Sequence, residues 1–345
     1  MKTARFHALT SRYAQLRIGV VGDFSLDRYL EIDPGKGEIS LETQLPVHNV
    51  MNVRGQPGAA GTILNNLVAL GVKASYPVGF CGLDGEGYEL QNALRAKGPS
   101  VPLDYFTATD LRRTFTYCKP LLVRPGQPPE ELSRLDTKNW TPTPAAIEDR
   151  LIESIRRMAG EVDAVIVLDQ VDVAETGVVT GRVIQALHEV SQSRPELLIL
   201  ADSRRGVKGW PPMTFKMNVN ELAAMTGRNG PLSQAEVAAM AQDFAVQTGR
   251  SVFITMAEQG MIAATAQGQV EQVSSVPLRG PIDVVGAGDS VTANLAVALA
   301  AGAELREALE LAATAASLVI HQLGTTGTAT VEQMQELLLG SMQLA

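Results

Sequence analysis

The sequence predicts an α/β protein: a mainly parallel sheet between two layers of helices (α/β/α), with a small β lid inserted. Three observations carry that prediction. Short apolar runs alternate with longer helical patterns, as in a parallel sheet covered on both faces. Several of those runs are almost unbroken, as strands buried on both faces are. Two stretches, about 31–57 and 101–136, break the rhythm with β-like alternation, prolines and charges.

In chain order, residues 17–22 (Arg-Ile-Gly-Val-Val-Gly) read as the first strand, and residues 60–70 as a helix. Gly71 ends that helix as a C′ residue. Strands follow at 74–80, at 164–168 (Ala-Val-Ile-Val-Leu), at 197–201, at 214–217 and at 252–255. Between the last two, Ser233 with Glu236 three residues on is a capping box that opens a helix running to about residue 248. A further helix, 290–301, follows a glycine turn. The alternating segments 45–53 and 113–119 fall in the two irregular stretches and predict an accessory sheet. Neither has a linker long enough for an independent domain, so residues 1–345 are expected to form one domain with the lid inserted in it.

Composition excludes several functions. The 29 basic and 37 acidic side chains leave a net charge of −8, which argues against a general grip on nucleic acid. No apolar run approaches the roughly 20 residues of a membrane span, and the first 15 residues lack the apolar core of a signal peptide. The expectation is a cytoplasmic protein with no nucleic-acid or membrane partner. Cys81 and Cys118 cannot build a disulfide framework, and His7, His48, His188 and His321 have no zinc-ligand spacing.

The 31 glycines cluster. Asp283-Val-Val-Gly-Ala-Gly-Asp289 runs straight into a helix, whose start aims free N–H groups and partial positive charge at a ligand. Gly286, Ala287 and Gly288 would supply the amides. A carboxylate there, Asp289, repels an anion unless its task is to take a proton, which is what phosphoryl transfer needs. The same residues also describe an Asp N-cap after a glycine turn. Gly58-Ala-Ala-Gly-Thr62 leads into another helix. Asn218-Val-Asn-Glu221 offers oxygens for Mg²⁺ through water, or a polar helix cap. Asp23 and Asp27 follow the first strand, at the sheet edge where ligands bind, and suit a ligand rich in hydroxyls. A dinucleotide oxidoreductase would need a Gly-x-Gly-x-x-Gly turn there, and Gly22-Asp-Phe-Ser-Leu-Asp27 is not one.

Taken in order, these clusters resemble the ribokinase (PfkB) family of carbohydrate kinases over nearly the whole chain. Asp-Val-Val-Gly-Ala-Gly-Asp-Ser resembles its C-terminal signature, Asn-Val-Asn-Glu its Asn-x-x-Glu element, and Val78-Gly-Phe-Cys-Gly-Leu-Asp-Gly-Glu-Gly87 its N-terminal signature. Within the family the sequence is most similar to the heptose-7-phosphate kinase half of ADP-heptose synthase, on Val20-Val-Gly-Asp-Phe-Ser-Leu-Asp-Arg-Tyr29, Ile39-Ser-Leu-Glu-Thr-Gln-Leu-Pro-Val47, Leu132-Ser-Arg-Leu-Asp136, Thr255-Met-Ala-Glu-Gln-Gly-Met261 and Leu323-Gly-Thr-Thr326. No nucleotidyltransferase half follows within the 345 residues, so the expected activity is the kinase alone.

The resemblance implies a ribokinase-like fold and ATP- and Mg²⁺-dependent transfer of the γ-phosphoryl group to a hydroxyl of a sugar or sugar phosphate. It implies Asp289 as base, with Gly286, Ala287 and Gly288 as anion hole. Asp23, Asp27, Gly58, Ala59 and Thr62 would hold the sugar. Asn218, Glu221, Thr255, Gly260 and Asp283 would hold nucleotide and Mg²⁺, the metal largely through water. A homodimer through the lid is also implied. Three positions depart from the pattern. Thr62 replaces an Asn, Ala313 replaces a purine-side Asn, and Asp172 stands where a Lys is usual. A carboxylate there would repel a substrate phosphate by roughly 1–4 kcal/mol at about 4 Å. A nucleoside kinase of the same family, or a family member that binds without turnover, fits the same fold.

Overall fold

The structure, a computed structural model, describes residues 1–228 and 230–340. Its strands are β1 (Arg17–Gly22), β2 (Phe24–Ile32), β3 (Glu38–Ile39), β4 (Pro46–Val47), β5 (Val50–Ala59), β6 (Ala74–Gly82), β7 (Phe106–Thr109), β8 (Thr116–Leu122), β9 (Glu130–Glu131), β10 (Leu135–Thr137), β11 (Ala164–Asp169), β12 (Leu198–Ser203), β13 (Thr214–Asn218), β14 (Val252–Thr255), β15 (Met261–Ala264) and β16 (Val270–Val273). The helices are α1 (Thr3–Thr10), α2 (Ala60–Ala69), α3 (Gly85–Arg95), α4 (Ala145–Ala159), α5 (Gly181–Ser193), α6 (Val219–Thr226), α7 (Gln234–Thr248), α8 (Ala287–Ala300), α9 (Leu305–Val319) and α10 (Val331–Gly340).

Nine strands form the main sheet in the order β16-β15-β14-β13-β12-β11-β1-β6-β7. The strands from β14 to β7 run parallel, while β15 and β16 close one edge antiparallel. The unbroken apolar strands are explained by two cores. In β11, Ala164, Ile166 and Leu168 face a core shared with α2, α8 and α9, while Val165 and Val167 face one shared with α4, α5 and α7. With side chains alternating between faces, a strand covered on both sides has no polar face to show. The Ser233–Glu236 capping box forms as predicted, and Gly71 takes the left-handed conformation (φ 72°) after α2.

A second sheet, in the order β10-β8-β2-β5 with β9 beside β8, covers one end of the first. It is the predicted accessory sheet with one addition: β2, whose first residues fall outside the expected lid segments, is its central strand, parallel to β8 and antiparallel to β5. The chain leaves the main sheet after β1 through one residue, Asp23, and returns from β5 into α2 at Ala59 and Ala60, whose N–H donates to the Asp23 carbonyl at 2.9 Å. Ala59 sits at φ 53°, ψ −118°, where a Cβ is strained. Ala59→Gly is expected to raise the unfolding midpoint. Relief of about 1–3 kcal/mol of strain exceeds the roughly 0.5–1 kcal/mol that glycine costs through the unfolded chain. An unchanged or lower midpoint in thermal unfolding refutes this.

Candidate active site

Strand order reverses between β1 and β11, and in open parallel sheets ligands bind at such a point. Asp23 lies there, buried. Its carboxylate is fully engaged by the backbone, accepting from the N–H groups of Gln170 (2.8 Å), Val171 (3.3 Å) and Val178 (2.7 Å). Burial pushes the Asp23 carboxyl up to about 6 and Asp169 adds to this, against the three amides. Through these bonds Asp23 clamps the loop after β11 to the junction of the two sheets.

Asp27 does face the cleft from β2. One carboxylate oxygen is 3.3 Å from the Lys119 ammonium and the other accepts from the Ser25 hydroxyl at 3.4 Å. Gly58, beside it on β5, has no room for a Cβ, which would collide with Asp27 and Ser25. Lys119 also lies 3.4 Å from the Tyr29 hydroxyl. Burial alone would lower its pKa, but Asp27 and Tyr29 hold it raised, so the ammonium persists. Gln56 donates to Thr326 at 2.8 Å and ties the lid to the segment after α9. Thr62 is 1% exposed, and its hydroxyl makes no hydrogen bond to a described residue. Its methyl lies 3.5 Å from where a Gly286 Cβ would be. Ala59 shapes the turn beside the pocket.

Across the cleft, Gly286 caps α8 in the left-handed conformation (φ 82°), placing Asp289 in the helix's first turn. Of the three expected amides, that of Ala287 is spent on the Val284 carbonyl at 3.2 Å. The N–H groups of Gly286 and Gly288, joined by that of Asp289, make no hydrogen bond to a described residue. The amides open to a ligand are thus those of Gly286, Gly288 and Asp289, with Asp289 in place of Ala287. The Asp289 carboxylate likewise makes no hydrogen bond to a described residue and is no N-cap. Burial pushes it up to about 7. Asp202 pushes the same way, Lys216 opposes, and Asp27 adds a further rise, so the two halves of the cleft share one electrostatic field.

Lys216 and Asp202 were not singled out from sequence. Lys216 comes from the buried strand β13, and its ammonium is 2.8 Å from Asp202 and 3.2 Å from the position a Gly288 Cβ would take. The Thr292 hydroxyl lies 3.0 Å from both Asp202 and the Gly288 carbonyl. Burial would lower the Lys216 pKa, but Asp202, Glu221 and Asp289 outweigh it, leaving a permanent positive charge beside the anion cradle. A lone charged side chain inside the strand Thr-Phe-Lys-Met-Asn is the signal that could have found it.

Asn218 and Glu221 form a reciprocal capping box at the start of α6: the Asn218 side chain accepts from the Glu221 N–H (2.9 Å), and Glu221 accepts from the Asn218 N–H (2.7 Å). One Glu221 oxygen is left, and no group of three His, Cys, Asp or Glu side chains suited to a metal occurs among the described residues. Carboxylate and amide oxygens suit Mg²⁺ held mainly through water. Thr255 pairs with Asn218 across β13 and β14. Gly260 (φ 88°) turns the chain between β14 and β15, where a Cβ would collide with the Val273 carbonyl. Asp283 accepts from Val285 (3.0 Å) and Gly324 (3.3 Å), bracing the loop before α8. Ala313 lies on α9 against the core. Asp172 is not a bare negative charge: Lys138 lies 2.7 Å and Arg204 3.7 Å from its carboxylate. The expected repulsion of a phosphate is therefore offset by two cations.

Asp289 without a hydrogen-bond partner among the described residues, the unbonded amides at the start of α8, the buried Lys216 and Asp27 on the second sheet are groups that phosphoryl transfer to a polyhydroxylated substrate would use. Comparison with known proteins agrees. Residues 211–332 match the model of the pfkB family carbohydrate kinases. The chain is 30% identical over 327 residues to the bifunctional protein HldE of Rhodospirillum rubrum, covering 94% of this chain and 63% of that one. It is 28% identical over 323 residues to the HldE of Gluconobacter oxydans, covering 93% and 64%. It thus spans just under two thirds of these relatives' length. Among solved structures, Arabidopsis thaliana ribokinase complexed with ribose and ATP superposes with a TM-score of 0.65 at 17% identity, covering 94% of this chain and 98% of that one. Escherichia coli phosphofructokinase-2 in complex with potassium gives 0.70 at 17%, covering 94% and 99%. The fold is ribokinase-like. No helix among the described residues is long and apolar enough to cross a membrane.

Proposed function

We propose that this protein transfers the γ-phosphoryl group of ATP to a hydroxyl of a sugar or sugar phosphate, in the manner of a heptose-7-phosphate kinase. The carrying observation is Asp289: a carboxylate raised toward 7, without a hydrogen-bond partner among the described residues, beside unbonded amides at the start of α8 and within the electrostatic reach of Asp27. Asp27 and Lys119 orient the sugar. Asp289 accepts the proton of the attacking hydroxyl as the new O–P bond forms and the bond to ADP breaks. The amides of Gly286 and Gly288 and the Lys216 ammonium stabilise charge on the moving group. Mg²⁺, held through water by Glu221 and Asn218, would neutralise phosphate charge when bound. The lid excludes water.

The test is a panel of sugars, sugar phosphates and nucleosides with ATP and Mg²⁺, read by ADP release. Transfer to a sugar supports the reading. Transfer only to nucleosides refutes it, and so does ATP binding without transfer to any acceptor. Because the carboxylate is the competent base, kcat/KM is expected to fall as pH drops through about 7. A profile flat from pH 5.5 to 8.5 counts against Asp289. We also propose a homodimer through the lid, where Val50, Met51 and Val53 are exposed on the edge strand β5. Sedimentation of a pure monomer at micromolar concentration speaks against it.

A further inference from the structure

We propose that His321 is a positioning residue for the start of α8: its imidazole clips the segment entering α8 to the end of α9 and so fixes where the Gly286 turn and Asp289 stand. The clip rests on hydrogen bonds alone, and its effect on turnover rests on the kinase reading above.

Residues 274–286 run from β16 to α8 with no helix or strand, and 277–282, 284 and 285 are exposed. Such a segment has little packing to hold it. It is tied to the end of α9 at two points instead. At the first, the His321 Nε2 accepts from the Arg279 N–H at 2.9 Å, and Nδ1 lies 2.7 Å from the Ser317 carbonyl. These partners assign the tautomer. An amide N–H only donates and a carbonyl only accepts, so Nε2 carries the lone pair and Nδ1 the proton. The Arg279 guanidinium donates to the same carbonyl at 3.1 Å. At the second point, the Asp283 N–H donates to the Ile320 carbonyl at 2.7 Å. Gly286 follows, and an added Cβ there would stand 3.3 Å from the Thr326 Cβ. The first turn of α8 thus takes its place from the end of α9, and Asp289 with it.

The ring does two separable jobs. The Ser317 carbonyl, in the last turn of α9, accepts from no backbone N–H of a described residue. Carbonyls at a helix end need a donor from elsewhere, and Nδ1–H supplies one, which is a cap. Nε2 caps nothing and serves only the loop. Side-chain length tells the two jobs apart. Asn carries an N–H donor at the position of Nδ1 and ends there, whereas Gln reaches the position of Nε2 with an acceptor oxygen. With Gln at 321 the Arg279 guanidinium still serves the Ser317 carbonyl. His321 is half-buried, so neither substitution empties a core position.

Hydrogen exchange of residues 274–286 is measured on the full chain beside sugar-dependent ADP release. His321→Asn and His321→Ala are expected to speed exchange there about 3–10-fold, as loss of one hydrogen bond implies. They are also expected to lower kcat about tenfold, as a misplaced base does, with the sugar KM unchanged because Asp27 and Lys119 stay in place. His321→Gln is expected to keep both readouts within about twofold of wild type. An Asn variant that matches the Gln variant, a Gln variant as impaired as the Ala variant, or a rise in sugar KM at constant kcat overturns the positioning role. Faster exchange with an unchanged kcat overturns it too. If exchange follows the pattern while wild type turns over no acceptor, the clip stands and the kinase reading falls, whereas turnover that ignores all three variants does the reverse.

Discussion

Asp289→Asn is expected to lower kcat for sugar-dependent ADP release by about 10²–10⁴, the range for loss of a general base, while the folded protein becomes more stable at pH 8. The first half follows from the proton that Asn cannot take. The second follows from linkage. The folded-state pKa, about 7, lies above the ordinary 3.8. The folded state therefore binds the proton more tightly than the unfolded chain, and the cost of ionising Asp289 grows as pH rises from about 4 and is complete above about 7. Asn removes that cost without breaking a hydrogen bond to a described residue. Activity loss with an unfolding midpoint that rises at pH 8 and converges with wild type near pH 4 is the signature. Turnover within tenfold of wild type, or a lower midpoint at pH 8, shows that the residue is not a free base in the cleft.

Lys216→Met is expected to cost about 3–5 kcal/mol of stability, the range for leaving a buried charge without its partner, which for a chain of this size is about 4–7 °C in the unfolding midpoint. Asp202 would keep only the Thr292 hydroxyl. The double variant Lys216→Met/Asp202→Asn should recover much of the loss, because the uncompensated charge is then gone. If the double variant is as unstable as the single one, the cost lies in packing and not in charge. Lys216 also holds the Asp289 pKa down, so in the single variant the acid limb of the pH profile should move to higher pH. A limb that stays in place separates Lys216 from the base.

Much of the framework is legible from residue pattern. Ala164-Val-Ile-Val-Leu168 can only be a strand with both faces covered, and Ser233 with Glu236 marks its helix start, because these signals are local: period, length and cap chemistry. The exception is instructive. Phe24–Ile32 follows β1 after a single residue, and Asp23 with Asp27 reads in the sequence as a ligand-binding edge of the main sheet. It pairs instead with Val50–Ala59 and Thr116–Leu122, partners far away in the chain.

The site divides in the same way. The glycines and Asp289 announce themselves, because a turn into a helix has a short-range signature. What each polar group does there depends on which neighbours the fold delivers. Asp23 is taken up by three amides more than 140 positions away. Ala287 loses its N–H to a nearby carbonyl, and Asp172 gains two cations from separate parts of the chain. Lys216, silent in the sequence, becomes the positive centre because Asp202 stands beside it.

By itself, then, the sequence determined the layered α/β class, the order of its glycine turns and the placement of Asp289 at a helix start, all of which rest on periodicity and local backbone chemistry. Only the tertiary structure decided which carboxylates remain free, where the positive charges gather and how the lid joins the sheet. The free energy of a buried charge depends on the partners within a few ångströms of it, and those partners are brought together by folding.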